Sequence, residues 1–178
     1  TTPTFCYVGR WDTRKRPELF LDLAVEFPHF DFIAIGQGRT PDYDRELRRR
    51  YGHLKNLHLP GFVDQFTDPR FADLLSSAWA LINTALREGL PRSFMEAAAH
   101  GCAIMSRVDP DGFASRFGYR AKRDDFADGL RWLVEGNRWR PLGQAARDYV
   151  VGTYGVDAAI EAHTAMYQDI VAAEAPAT

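Results

Sequence analysis

Short apolar runs, each closed by a glycine- or proline-bearing turn and followed by a helix-forming segment, leave this chain few folds to adopt. Thr4–Val8 stops at Gly9, Asp31–Ile35 at Gly36-Gln37-Gly38, and Leu57–Leu59 at Pro60-Gly61. Ala78–Thr84 precedes the Arg87–Pro91 turn, and Ala103–Ser106 makes a fifth run. All five read as buried strands. Between them, Pro17–Phe27, Asp44–Tyr51, Phe71–Ser77 and the residues from Pro91 to a glycine stop at Gly101 read as helices. Pro17 opens the first at a position where a missing N–H does no harm, Pro41 is placed in the loop before the second, and Asp68-Pro69 caps the third. Strands alternating with helices at this spacing form a parallel sheet covered on both faces. The expected architecture is α/β, a doubly wound parallel sheet.

Beyond Asp124 the pattern changes to a helical tail. Phe126, Leu130, Leu133 and Val134 keep helical spacing, residues 137–151 form a second helix, and Val156, Ile160, His163, Met166, Tyr167 and Ile170 lie on the apolar stripe of a third. With 178 residues, 46% of them hydrophobic, one core suffices. Residues 1–172 are therefore read as a single domain and 173–178 as a frayed tail. No apolar run approaches the roughly 20 residues that span a bilayer, nothing reads as a signal peptide, and Cys6 and Cys102 suit buried free thiols. A cytoplasmic protein is expected. The net charge of −2 supplies no field that would gather nucleic acid, and the arginines of 45–50 are offset by Asp42, Asp44 and Glu46, so no nucleic-acid partner is expected.

The stretch Arg87–Gly101 concentrates the chemistry. Glu88 sits in the loop at a strand's carboxyl end and Glu96 more than one turn into the following helix, so both can face the crevice where open α/β sheets hold ligands. Arg10, Arg14, Lys15 and Arg16 make the loop after the first strand cationic, and the amides of Arg92, Ser93 and Phe94 at a helix start offer an anion site. Carboxylates that only accept hydrogen bonds suit hydroxyls. Phosphate flanked by polyols describes a sugar nucleotide.

These residues carry a family resemblance. Val8-Gly9-Arg10 with Lys15, Ile35-Gly36-Gln37-Gly38, Pro60-Gly61-Phe62-Val63, and Glu88 separated from Glu96 by seven residues (an EX7E motif) together resemble the C-terminal, donor-binding half of the group 1 (family 4) retaining glycosyltransferases of the GT-B fold. The resemblance spans roughly residues 4 to 172. It implies a Rossmann-like half of a GT-B fold that binds a nucleotide-diphospho-sugar donor, needs neither cofactor nor metal, and transfers the sugar to an acceptor hydroxyl with retained configuration. By the same resemblance Arg10 and Lys15 hold the diphosphate and stabilise it as it departs, Glu88 lies against the sugar, and Glu96 binds ribose hydroxyls. Amides at Arg92 and Ser93 meet a phosphate, Gly38 admits close approach of the ligand, and the main chain around Phe62 and Val63 holds the base. The partner domain is the family's N-terminal acceptor domain, absent from this chain, without which the isolated piece would be inactive and through which the parent could lie peripherally at a membrane.

Departures and rivals complete the reading. Many members have Phe-Gly where Leu90-Pro91 stand here, which removes an N–H and stiffens the loop, and residues 107–123 match the family pattern only loosely, so no role is assigned there. Arg14 and Arg16 read as solvated loop charges, and Trp132, Trp139 and the last helix's stripe as core, although the resemblance implies that this helix crosses to the N-terminal domain. A nicotinamide-dependent dehydrogenase would need Gly-x-Gly-x-x-Gly after the first strand, where Gly-Arg-Trp-Asp-Thr-Arg-Lys stands instead. A non-catalytic nucleotide-sugar binding or docking module would keep the same loops. It is the alternative reading.

Overall fold

The computed structural model describes residues 2–174. Six parallel strands, β1 (Thr4–Val8), β2 (Asp31–Ile35), β3 (Leu57–Gly61), β4 (Ala80–Asn83), β5 (Ala103–Ser106) and β6 (Gly118–Arg120), form one sheet in the order β3-β2-β1-β4-β5-β6. The chain lays β2 and β3 on one side of β1 and then returns to lay β4, β5 and β6 on the other. That reversal leaves a crevice between the carboxyl ends of β1 and β4. The helices are α1 (Pro17–Glu26), α2 (Pro41–Tyr51), α3 (Arg70–Ser77), α4 (Arg92–Ala99), α5 (Phe113–Phe117), α6 (Phe126–Val134), α7 (Trp139–Tyr154) and α8 (Val156–Glu174).

Strand alternation divides the core in two, because successive side chains leave opposite faces. Phe5, Tyr7, Phe32, Ala34, Ile82 and Met105 pack with α1, α2 and α6. Cys6, Ile33, Ile35, Leu81 and Ile104 pack with α3, α4, α5 and α7. The expected doubly wound α/β sheet with a helical tail is the fold observed. Cys6 and Cys102 are buried free thiols, and the Cys102 Sγ–H donates to the carbonyls of Leu75 (3.3 Å) and Ala78 (3.4 Å).

Several boundaries differ from the sequence reading. Helix α2 begins at Pro41 rather than Asp44, because Thr40 caps it through the Tyr43 amide (3.3 Å) and proline fits the first turn. Strand β3 runs through Pro60 because it is an edge strand, where a missing N–H removes no ladder bond; its register on β2 shifts between Ile33 and Ile35. Asp68 lies two residues before the helix start of α3, with Pro69 at the cap, yet its carboxylate still accepts the Arg70 amide (3.0 Å). β4 is shorter than the 78–84 run, and β6 was not read at all.

The tail holds two corrections. Trp132 lies at the surface against Tyr119 and the Arg138 guanidinium, whereas Trp139 stacks on Trp79 with ring centroids 4.4 Å apart. No side chain of α8 described is buried: Val156, Ile160, Tyr167 and Val171 all stand in solvent. The stripe expected in the core is therefore an exposed apolar strip, as the family resemblance implied. Residues 173 and 174 are helical, and the rest of the frayed tail read from the sequence lies outside the described residues. Among those residues no helix is long and apolar enough to cross a membrane.

Candidate functional site

The loop after β1 (residues 9–16) and the loop after β4 (84–91) meet over the crevice. Lys15 Nζ donates to Glu88 Oε1 across it, and the Glu88 side chain is only 11% exposed. Arg10 projects beside this pair, with its Nε donating to Asp12 Oδ2 at 2.9 Å. The loops are held by main-chain bonds as well: the Thr84 hydroxyl donates to the carbonyls of Lys15 (2.7 Å) and Arg16 (2.9 Å), and the Leu86 amide to that of Arg14 (3.1 Å). Beneath them lies Tyr7, whose phenol is pushed far up by burial and then by the charges of Asp12 and Glu88. It stays neutral at any working pH.

Three adjoining cavities line the carboxyl edge of the sheet. One of about 330 Å3 is walled by Arg10, Lys15, Arg87, Glu88 and Pro91. A second of about 400 Å3 shares Arg10 and continues along Gly38, Phe62 and Val63; there Val63 is buried and Phe62 is 64% exposed. A third of about 500 Å3 shares Gln65 and Phe71 with the second and reaches Glu96 and His100. Arg10, Lys15, Glu88, Gly38, Phe62, Val63 and Glu96 thus line three cavities linked in series by shared wall residues. Among the described residues no group of three or more His, Cys, Asp or Glu side chains gathers to hold a metal ion.

Two expected details change. The Phe94 amide is taken by the Pro91 carbonyl at 3.0 Å, so the donors left without a partner among the described residues at the start of α4 are Arg92 and Ser93. Gly38 lines the cavity, yet a Cβ there would lie 2.5 Å from the Asp44 amide nitrogen, and one on Gly36 (φ 143°) would meet the Gly9 carbonyl. Close packing of main chain on main chain accounts for both glycines. Glu96 pairs with Arg92 Nε at 3.1 Å, and the Arg92 guanidinium lies 5.1 Å from the ring centroid of exposed Phe66.

A family model described as Glycosyl transferases group 1 matches residues 2–136. The chain belongs to the group 1 glycosyltransferases. It is 33% identical over 98 residues to the O-antigen biosynthesis glycosyltransferase WbnH of Escherichia coli, a match covering 55% of this chain and 26% of that protein. The chain thus matches about a quarter of that relative's length. Two solved structures share its fold. Anabaena Alr3699/HepE in complex with UDP-glucose superposes with a TM-score of 0.69 at 15% identity, over 92% of this chain and 49% of that one. The C-terminal domain of a Francisella tularensis group 1 glycosyl transferase, LpcC, superposes with a TM-score of 0.67 at 22% identity, over 86% of this chain and 87% of that domain. The fold is the one seen in the C-terminal domain of that group 1 glycosyl transferase.

In this group 1 glycosyltransferase domain, several residues that shape the crevice carried no signal in the sequence. Arg16 is not a solvated charge: it starts α1 in the left-handed region (φ 49°), donates Nε to the Thr84 carbonyl (2.8 Å) and binds both oxygens of Asp124 (2.7 and 2.8 Å). Arg107 joins the same carboxylate at 3.1 Å, and Asp124 is held below the usual aspartate range, first by Arg16. The arginines of α2 are ion-paired with Asp42, Asp44, Glu46 and Asp22, and Arg48 also caps the Leu59 carbonyl and covers Trp11. Their pairing leaves them structural work.

Proposed function

We propose that this chain is the donor half of a retaining glycosyltransferase and binds a nucleotide-diphospho-sugar in the crevice between β1 and β4. The observation that carries the reading is the meeting of Lys15, Arg10 and Glu88 at the sheet's switch point, two cations and one carboxylate drawn from loops more than 70 residues apart. Arg10 and Lys15 take the diphosphate, Glu88 faces the sugar hydroxyls, and Glu96 takes the ribose. Amides at Arg92 and Ser93 add donors for a phosphate, while the cavity along Gly38, Phe62 and Val63 takes the base, against apolar side chains.

The chemistry follows from charge. As the glycosidic bond breaks, negative charge grows on the departing diphosphate, and cations fixed in a partly dry crevice stabilise that charge more than they stabilise the bound donor. No metal enters this reading. Attack by an acceptor hydroxyl from the face that the diphosphate leaves retains the anomeric configuration. The acceptor comes from an N-terminal domain of the parent enzyme, against which the apolar strip of α8 packs, so this piece alone binds donor without transferring it.

The UDP-glucose bound by Alr3699/HepE makes uracil the first base to test. Thermal shift and calorimetry with uridine, guanosine and adenosine diphosphates and their glucose conjugates should show at least one diphosphate that raises the melting temperature, since a ligand of the folded state stabilises it. The matching nucleoside should bind far more weakly. No shift with any of them at millimolar concentration would end the reading.

A further inference from the structure

Arg10 and Lys15 are useful to a diphosphate only if their long side chains start from a fixed loop, and one buried carboxylate fixes it. Asp12 is 7% exposed although its neighbours Thr13 and Arg14 stand in solvent. Its Oδ1 accepts the main-chain amides of Arg14 (3.0 Å) and Lys15 (3.1 Å), and its Oδ2 accepts Arg10 Nε (2.9 Å). Its carbonyl accepts the amides of Lys15 (3.0 Å) and Arg16 (2.9 Å). The preceding residue, Trp11, is tied to the loop after β2 by its amide on the Gln37 carbonyl (2.8 Å) and its carbonyl on the Arg39 amide (2.9 Å). The turn is closed from both ends.

We propose that Asp12 is the positioning residue of the cationic loop, orienting the Arg10 guanidinium through Nε so that its two outer nitrogens face the crevice, and setting the main chain from which Lys15 extends. The inference rests on the donor-site reading above. Its physical logic is one of opposing charges. A carboxylate beside a diphosphate site repels the ligand, so simple attraction would favour a neutral residue at this position. An unrestrained arginine, however, loses about 2 kcal/mol of rotamer freedom when a ligand orders it, and a guanidinium already held through one nitrogen loses much less. Arg14 shows the contrast: its amide is held by Asp12, but its side chain has no ion-pair partner among the described residues. Burial alone would raise the Asp12 carboxyl, yet the Arg10 guanidinium and the two amides hold it below the usual aspartate range, so it is ionised whenever the site works.

The test separates charge, geometry and fold. Asp12→Asn keeps an oxygen for the two amides but cannot accept from Arg10 with its amide nitrogen, so it releases the guanidinium while preserving the turn. With the nucleoside diphosphate that binds the wild-type domain most tightly, calorimetry should show affinity lowered about tenfold, roughly 1.4 kcal/mol, and affinity for the matching nucleoside unchanged. In an Arg10→Ala background the same substitution should change diphosphate affinity less than about twofold, since its effect runs through Arg10. Wild-type affinity in Asp12→Asn, an undiminished loss in the Arg10→Ala background, or equal loss for nucleoside and diphosphate would each overturn the proposal. Should Asp12→Asn fail to fold, Arg10→Lys asks the same question: lysine has no separate Nε for Asp12 to hold while a planar pair of outer nitrogens faces a phosphate, so it should lose about as much affinity as Arg10→Ala, and wild-type affinity would overturn the proposal. A wild-type domain that binds no diphosphate defeats the donor-site reading itself, whereas a binding wild type with an indifferent Asp12→Asn defeats only the positioning role.

Discussion

Glu88 and Lys15 pair with one another in the crevice, so a diphosphate that takes Lys15 must compete with Glu88 for it. Glu88→Gln should therefore bind a nucleoside diphosphate about fivefold more tightly than the wild type, by removing a rival contact of about 1 kcal/mol and a nearby negative charge. The same variant should bind the corresponding nucleotide sugar no better than the wild type, having exchanged a charged two-oxygen acceptor for the sugar hydroxyls for a single, weaker amide oxygen. Calorimetry with the two ligands checks the split, and parallel gains for both would remove the sugar from Glu88. Lys15→Ala should instead weaken diphosphates by about tenfold or more and leave nucleosides unaffected. Glu96→Ala should weaken diphosphate and nucleoside alike, because a ribose contact is common to both, and calorimetric affinities equal to the wild type's would exclude that contact. That these four positions would line the cavities was legible because Arg10 and Lys15, and Glu88 and Glu96, stand at short spacings in and just after two strand-end loops. Thr84, Arg16 and Asp124 were not, since what gives them meaning is a partner 68 or 108 residues away. Asp12 was hidden differently: an aspartate in a polar turn looks alike whether it caps a turn or aims a guanidinium.

At the scale of elements, the Arg16–Asp124–Arg107 cluster ties the start of α1 to the connection between β6 and α6, across the carboxyl edge of the sheet. Asp124 itself stands at φ 59°, a conformation disfavoured for a residue with a side chain, and the two arginines hold it there. Asp124→Asn should lower stability by about 1–2 kcal/mol at pH 7. The sign with pH follows from the depressed carboxyl: its folded value lies below the ordinary 3.8, so the stabilisation is complete above that value and is lost as pH falls through the folded one. Denaturant melts of wild type and variant should therefore stay a constant distance apart from pH 8 to about pH 5 and converge below about pH 4. A gap that persists unchanged to pH 2.5 would mean that the ion pairs do not hold this junction. Elements with a long apolar or amphipathic signal were read correctly from the sequence. Strand β6 escaped because Gly118-Tyr119-Arg120 is short, polar at one end and paired only with β5; its glycine is demanded by the Ile104 carbonyl, which a Cβ would strike at 1.9 Å.

For the molecule as a whole, the sheet and its two layers of helices close a core on each face, and α8 stands apart from both, touching chiefly α7. The apolar stripe of α8 misled the sequence reading for a physical reason: helical periodicity records that a face is to be buried, not which polypeptide buries it. A helix that buries nothing contributes little to stability, so a chain ending at Gly155 should melt within about 4 °C of the original and bind diphosphates equally well. A chain ending before α7, which would remove Ala146 and Val150 and uncover the faces of α4 and β5 they pack against, should not fold. If the strip seats on an acceptor domain, Ile160→Lys with Ile170→Lys should leave this domain's melting temperature and diphosphate affinity unchanged, since both side chains already stand in solvent. In the full-length parent the same pair should loosen the two halves, lowering transfer at least tenfold while the donor still binds, because burying an unpaired lysine at an apolar contact costs more than 1.4 kcal/mol. Transfer assays on the parent and calorimetry on this domain decide it together: unimpaired transfer would show that the strip serves another purpose, and impaired donor binding in the isolated domain would show that α8 belongs to the donor site after all.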